Sequence, residues 1–250
     1  MISPKFTQAA KIKTFALEKP IGIQLAVTGS KSVINYGTNT TIKINGKELK
    51  EYFNVVNIDY YDAILGTPSL KKFKVTIDFA KDCLTIKDKI ILNQADEYRA
   101  ISVFWEIGGI KAHCLIDSGC RGVMISPEFT QAAKMKTFAL EKPIGIQVAV
   151  TGSKSLINYG TNTTIRINVE KSKEYFDVVN IDYYDAILGS PFLKKFKVAI
   201  DFAKDCLTIK DKIILNQADE YKIRERTSQK STSVNALKTE RLGKNLGDSH

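Results

Sequence analysis

The chain has 250 residues and a mass of 27.9 kDa, and its content of 44% hydrophobic and 26% charged residues excludes a mainly disordered or fibrous protein. Its net charge of +10 suits nucleic acid, acidic partners or no particular partner, because net charge bears on association rather than on fold. His113 and His250 are the only histidines, which excludes a histidine-rich metal site, and the spacing of the four cysteines matches no disulfide scaffold, which predicts reduced thiols.

The sequence contains a long internal repeat. Residues 1–98 return as residues 124–221 without a gap, and 85 of the 98 aligned positions are identical. We call residues 1–98 copy one and residues 99–221 copy two, because the segment 99–123 occurs once and precedes only the second repeat. Residues 222–250 are polar and basic, which predicts a disordered tail or linker. The predicted organisation is a truncated copy, a complete copy and a tail.

The segment that occurs once predicts a β-hairpin. Its sequence is RAISVFWEIGGIKAHCLIDSGCRGV, in which the apolar-rich runs 101–107 and 110–116 flank Gly108-Gly109. Two glycines between two such runs are typical of a tight turn. The second strand ends at Asp117.

The next elements predict a helix and a longer hairpin. Ser126 followed by Pro127 is a helix start, with serine as the cap and proline at the first helical position. Pro143 precedes the apolar run IGIQVAV, and the chain then turns near Gly152 and returns through INYGTNTTIRINV. These two runs predict a hairpin whose tip lies near the glycine.

The end of copy two predicts three further strands and a second helical turn. The strands are predicted over residues 175–181, 198–202 and 206–215. Ser190-Pro191 predicts a capped helical turn directly after Ala-Ile-Leu-Gly at residues 186–189. Many short strands separated by turns predict a mainly β unit, either a small barrel or a sandwich.

Asp117-Ser118-Gly119 is the triplet with the highest chemical content. A carboxylate at the end of a buried strand, followed by a hydroxyl residue and a glycine that permits a tight turn, is a way to direct one acid into a cleft. The structural alternative is a strand that simply ends in an aspartate turn. His113 and Cys114 do not form a dyad, because adjacent side chains of a strand point to opposite faces.

These elements together resemble the retropepsin-like aspartic proteases, and most closely the protease domain in polyproteins of gypsy-type retrotransposons, particularly fungal ones. The resemblance rests on sequences like LIDSGC, the ISPEF helix start, LEKPI, LAVTGSKS and YDAILGSPFL in this order. It covers residues 101–215 completely and residues 1–92 in part. It implies a small closed acid-protease barrel with one or two short helices, which acts as a homodimer without a cofactor or metal ion.

The resemblance also implies an active site. Two close carboxylates cannot both ionise and therefore share a proton, so that one activates water while the other polarises the scissile carbonyl. Asp117 from each of two subunits would supply this pair. The implied active-site loop continues through Ser118, Gly119 and Cys120. The implied flap is formed by Val150, Thr151, Gly152 and Ser153. The implied strand beside the loop contains Ile187, Leu188 and Gly189. Cys120 is interpreted as a small buried side chain rather than a redox switch.

Copy one lacks the Asp-Ser-Gly triplet, and three interpretations of it stay open. Copy one is unstable without its first hairpin, or it borrows residues 101–116 from copy two, or the true protein extends upstream to another such triplet. An internal pairing of the two copies would form a cleft with a single aspartate, which we expect to be inactive.

The function predicted from the sequence is therefore an aspartic endopeptidase that hydrolyses extended segments of a polyprotein. The alternative is a catalytically inactive remnant of a retroelement that binds a partner or has no activity. Direct nucleic-acid binding is disfavoured, because the lysines and arginines are scattered. We expect a cytoplasmic protein with no membrane partner, because no apolar run approaches roughly 18 residues and the first residues lack the layout of a signal peptide.

Overall fold

The computed structural model describes residues 1–23, 32–44, 46–58, 61–86, 100–147 and 154–218. Short strands dominate these ranges, and the helices among them are single short segments of six residues. None of the helices in these ranges is long and apolar enough to cross a lipid bilayer. The predicted mainly β fold class is confirmed.

Copy one folds around a three-stranded antiparallel sheet. Its elements in chain order are α1 (Pro4–Ala9), β1 (Phe15–Ile23), β2 (Ser32–Ile44), β3 (Lys47–Val55), α2 (Thr67–Lys72), β4 (Val75–Asp78) and β5 (Cys83–Ile86). Strands β1, β2 and β3 form the sheet in this order. The described residues of copy one include a small cluster of buried apolar side chains, namely Ile34, Val56 and Ile58, and Ile2 and Phe53 are buried as well.

Copy two forms a closed barrel. Its elements are β6 (Ser102–Ile107), β7 (Ile110–Ile116), β8 (Val123–Ile125), α3 (Pro127–Ala132), β9 (Thr137–Gln147), β10 (Lys154–Ile167), β11 (Glu170–Val178), β12 (Ala186–Leu188), α4 (Ser190–Lys195), β13 (Ala199–Asp201), β14 (Cys206–Ile209) and β15 (Lys212–Leu215). The strand order β11-β8-β12-β7-β6-β10 returns to its start, because β10 also pairs with β11. This ring of six strands confirms the predicted closed barrel, and β9 extends from it by pairing with β10.

The first hairpin and the first helix of copy two form as predicted. Gly108 and Gly109 have φ angles of +60° and +87°, which are favourable for glycine and make the tight turn between β6 and β7. The Ser126 hydroxyl accepts the backbone N–H of Phe129 at 3.1 Å and so caps α3, with Pro127 at the first helical position.

Three details of the sequence prediction are wrong. The strand predicted over residues 175–181 is β11, which starts at Glu170 and ends at Val178. The strand predicted over residues 206–215 is two strands, because Lys210 and Asp211 both have positive φ angles and turn the chain back. The cap of α4 is Gly189, which has no side chain to bond the helix, because the helix begins at Ser190 rather than after it.

The core of copy two fills the barrel and extends to its helices. Trp105 is 6% exposed and packs with its ring centroid 5.9 Å from that of Phe192, as expected for a strand residue in the core. The same cluster of buried side chains includes Phe73 and Val75 of copy one. The hairpin β6–β7 pairs with β10 and β12 of copy two, so copy one does not borrow it.

Candidate active site

The loop that begins at Asp117 is fixed by backbone hydrogen bonds at the end of β7. The backbone N–H of Asp117 donates to the Leu188 carbonyl at 3.2 Å, and that of Cys120 donates to the Asp117 carbonyl at 3.2 Å. The Asp117 carboxylate accepts the backbone N–H of Gly119 at 2.9 Å, which is the hydrogen bond of an aspartate turn. Asp117 is half-buried, so its carboxylate is held in place and still reaches solvent.

Strand β12 lies between β7 and β8, and its end contacts this loop. Ile187 faces Leu115 of β7 in a parallel pairing and Met124 of β8 in an antiparallel pairing. The chain from β7 to β8 must therefore cross over the end of β12, where Gly189 lies. A Cβ atom at Gly189 would overlap the Gly122 carbonyl oxygen and lie 2.5 Å from that of Cys120. Only glycine permits this crossing.

The residue that braces the loop is Ser190, which the sequence analysis assigned to a helix cap. Its hydroxyl donates to the Ser118 carbonyl at 2.7 Å, and its backbone N–H donates to the Cys120 carbonyl at 2.8 Å. No local sequence pattern indicates this role, because the two partners lie 72 residues apart in sequence. Copy one has Thr67 at the equivalent position, which keeps a hydroxyl group there.

Cys120 faces two carboxylates. Its thiol donates to the Gly122 carbonyl at 3.5 Å, and burial, followed by the charges of Asp117 and Asp177, raises its pKa to about 11. Asp177 also accepts the Tyr175 hydroxyl at 2.8 Å, and burial together with this carboxylate raises the pKa of Tyr175 to about 12. The Cys120 thiol is therefore protonated at neutral pH, and its interpretation as a small buried side chain rather than a redox switch stays a prediction.

His113 and Asp185 join β7 to the start of β12. The Asp185 carboxylate accepts the backbone N–H of His113 at 2.7 Å, and the backbone N–H of Asp185 donates to the His113 carbonyl at 2.9 Å. The His113 ring lies between Phe104 and Tyr184, with centroid distances of 4.6 and 4.8 Å, and its Nε2 is 2.9 Å from the Ser102 hydroxyl. Burial lowers the pKa of His113 and raises that of the Asp185 carboxyl. His113 is therefore a structural residue and does not lie in the Asp117 loop.

The pKa of His113 predicts an acid-sensitive fold. In the unfolded chain this histidine binds a proton near pH 6.5, whereas in the native barrel its pKa is lower. The free energy of unfolding therefore falls as pH is lowered below about 6.5. The slope is at most about 1.4 kcal/mol per pH unit and ends once the native histidine is also protonated. Asp185 acts in the opposite sense, because its native carboxyl gains a proton at a higher pH than the unfolded one does.

The measurement is urea unfolding at several pH values between 7 and 5, followed by the fluorescence of Trp105, the one tryptophan of the chain. We expect His113→Gln to flatten the pH dependence relative to the unsubstituted chain. His250→Gln is the matched control, since it removes the only other histidine, and its pH dependence should be unchanged. A slope that survives in His113→Gln would contradict the assignment.

The predicted site residues fall into two groups. The structure brings together Asp117, Ser118, Gly119 and Cys120 with Leu188 and Gly189 at the crossing of the loop over β12. The predicted flap, Val150, Thr151, Gly152 and Ser153, lies outside the described residues, between β9 and β10. Among the residues that the structure describes, no group of three histidine, cysteine, aspartate or glutamate side chains could hold a metal ion.

The two copies match two models of protease families. Residues 1–97 match the retroviral aspartyl protease family, and residues 113–218 match the PEG10/RTL1 protease domain. Both copies are therefore similar to protease domains, and copy one is similar to those of the retroviral aspartyl type.

The relatives of the chain include two fungal proteins called DNA damage-inducible protein 1. The one from Neurospora crassa is 26% identical over 144 residues, which are 57% of this chain and 33% of the relative. The one from Chaetomium globosum is 29% identical over 104 residues, which are 42% of this chain and 23% of the relative. The aligned part of the chain thus spans a third or less of the length of either protein.

Two solved structures are similar to part of the chain. The retroviral protease-like domain of Ddi1 from Leishmania major aligns with a TM-score of 0.36 and 14% identity, over 49% of this chain and 96% of that domain. The EIAV protease in complex with an inhibitor aligns with a TM-score of 0.33 and 17% identity, over 41% of this chain and 93% of that protease.

Proposed function

We propose that the chain is an aspartic endopeptidase of the retrotransposon type, in which Asp117 from each of two chains forms the catalytic pair. The observation that carries the proposal is the way the Asp117 loop is held. A half-buried carboxylate at the end of a barrel strand is fixed by Gly119, by the crossing at Gly189 and by the Ser190 hydroxyl. Such preorganisation of one acid is what general acid–base catalysis requires.

The proposed mechanism needs two carboxylates for a physical reason. Two aspartates at hydrogen-bond distance share one proton and titrate as a unit. The ionised member takes a proton from the attacking water, and the protonated member donates a hydrogen bond to the scissile carbonyl. The chain has a single Asp-Ser-Gly triplet, at residues 117–119, so the second carboxylate comes from another chain.

The proposed substrate is an extended peptide segment of a polyprotein. The β-hairpin of β9 and β10 would place residues 150–153 over the cleft as a flap, and the peptide would bind by strand addition with its side chains in apolar pockets. This mode selects extended, mainly apolar stretches.

The experiment measures cleavage of an apolar peptide library at mildly acidic pH over a wide range of chain concentration. We expect the rate per chain to rise with concentration, because the active species is a dimer. Asp117→Asn should lower the rate by about a thousandfold or more, since it removes both the base and the acid of the pair. Asp211→Asn is the matched control, because it makes the same chemical change on an exposed turn and should leave the rate unchanged.

A mixing experiment tests whether the two carboxylates come from two chains. Equal amounts of the unsubstituted chain and Asp117→Asn should keep about a quarter of the activity at the same total concentration, because only dimers with two intact aspartates cleave. Activity of about a half would indicate a monomeric enzyme. Absence of cleavage by a chain that sediments as a dimer would overturn the proposal and favour an inactive remnant.

A further inference from the structure

The two copies are joined by one pair of antiparallel strands. Strand β4 of copy one pairs with β13 of copy two, and Ile77 faces Ile200, which is its own equivalent in the repeat. Together with β5, β14 and β15 they form a five-stranded sheet. A strand pair centred on two equivalent residues has the geometry of a two-fold axis.

The hydrogen bonds at the ends of this strand pair are reciprocal. The backbone N–H of Phe79 donates to the Val198 carbonyl at 3.0 Å, and that of Phe202 donates to the Val75 carbonyl at 3.0 Å. Phe79 is equivalent to Phe202 in the repeat, and Val75 is equivalent to Val198. Each donor in one copy thus has its counterpart in the other.

The ion pairs beside the strands are reciprocal as well. The Lys71 ammonium is 2.7 Å from the Asp205 carboxylate, and the Lys194 ammonium is 3.6 Å from that of Asp82. Lys71 is equivalent to Lys194, and Asp82 is equivalent to Asp205. Each ion pair is thus made by the equivalents of the two residues that make the other. Such a contact is called isologous and is the kind found in a two-fold symmetric dimer.

The same surface exists twice in every chain. Residues 70–98 and 193–221 differ only at position 76, which is Thr76 in copy one and Ala199 in copy two. Apolar side chains of copy one also pack into copy two. Phe73 and Val75 are 1% and 2% exposed and belong to the core cluster of copy two. A second chain can therefore present its own residues 194–205 to β13 with the contacts that residues 71–82 make within the chain.

We propose that copy one is a built-in competitor that occupies the strand β13 through which two complete copies pair, and so keeps the chain monomeric with a single Asp117. This inference rests on the proposed function for its consequence, since a lone aspartate leaves the catalytic pair incomplete. Copy one binds β13 in preference to a second chain because it is covalently connected to copy two. Residues 87–101 connect β5 to β6, and a short connection gives an effective concentration in the millimolar range, far above that of a second chain.

The test measures the mass of the full chain by sedimentation, with Asp117→Asn present throughout so that no cleavage interferes. We expect the chain to stay at its monomer mass of 27.9 kDa. Ile77→Pro should double the sedimenting mass, because proline removes a donor from β4 and leaves β13 free for another chain. Ile200→Pro is the matched control and should stay monomeric, because it damages the strand that both pairings need.

A second variant leaves the strands intact. Lys71→Asp places a carboxylate against Asp205 within the chain but keeps the pair between Lys194 and Asp205 of two chains, so we expect association. Lys194→Asp removes an ion pair from both arrangements and should not associate. The inference would be overturned if both Ile77→Pro and Lys71→Asp stayed monomeric. It would also be overturned if the chain that keeps Ile77 and Lys71 formed equally tight dimers.

Cleavage by the same variants with Asp117 intact separates the two proposals. Dimers of Ile77→Pro that cleave peptide faster than the unsubstituted chain support both. Dimers that do not cleave leave β13 as the site of self-association and refute the protease function.

Discussion

Gly189→Ala is expected to destabilise copy two by about 3 kcal/mol or more. A Cβ atom at this position would overlap the Gly122 carbonyl oxygen and press on that of Cys120, and both are backbone atoms that cannot rotate away. Relief requires that the Asp117 loop lift from β12, which breaks the hydrogen bond from the Ser190 backbone to Cys120. The proteolytic activity proposed for the chain should be lost together with stability.

The repeat supplies a matched control for this substitution. Gly66 is equivalent to Gly189, follows the same five residues, Tyr-Asp-Ala-Ile-Leu, and has nearly the same backbone angles, with φ of −92° against −88°. The nearest atom to a Cβ at Gly66 is a side-chain atom of Pro68 at 3.7 Å, an ordinary contact. Gly66→Ala should therefore be neutral or stabilise by a few tenths of a kcal/mol, about what a lower backbone entropy gives.

Urea unfolding measures both variants, with Trp105 fluorescence for copy two and circular dichroism for both copies. The backbone angles themselves do not require glycine at either position, since both lie in the extended region. Any difference between the two variants is therefore due to packing. Equal effects of the two substitutions would mean that the loop does not lie against Gly189.

Leu188→Ala is expected to cost between about 2 and 5 kcal/mol, the range for a buried leucine. Leu188 is 0% exposed, because β12 lies between β7 and β8 and packs into the core of the barrel. The substitution would leave a cavity directly below the Asp117 loop. The unfolding midpoint in urea, read by Trp105 fluorescence, should fall without a change in the denaturant slope.

Leu65→Ala is the control, since Leu65 is the equivalent residue of copy one and is 40% exposed. A half-exposed leucine contributes little, so we expect a change within about 0.5 kcal/mol. Circular dichroism follows the unfolding of copy one in this variant. A loss as large as that of Leu188→Ala would show that copy one has a closed core of its own.

The elements with strong local signals were predictable from the sequence. Gly108-Gly109 between two apolar runs specified the first hairpin, because consecutive positive φ angles favour glycine. Ser126-Pro127 specified the start of α3 for an equally local reason, a side-chain cap and a fixed φ angle. The fold class followed from the number and spacing of such segments, together with the resemblance to the retropepsin-like proteases.

The same local signal failed at Ser190-Pro191. The dipeptide starts a helix as predicted, but the Ser190 hydroxyl bonds to Ser118 rather than to the helix backbone. The choice between the two partners depends on a loop 72 residues earlier in the chain, which no local pattern encodes. The pairing of β4 with β13 was beyond the sequence for the same reason, since strand partners that are distant in sequence leave no periodic signal.

The sequence by itself determined the local elements, the repeat and the position of one aspartate at the end of a strand. Only the tertiary structure decided what the repeated residues do. The hexapeptide Tyr-Asp-Ala-Ile-Leu-Gly is identical at residues 61–66 and 184–189, yet in copy two it forms the buried strand below the Asp117 loop and in copy one its leucine is 40% exposed. The physical reason is that burial depends on neighbours, and the hairpin β6–β7 that covers this hexapeptide is present once and pairs with copy two.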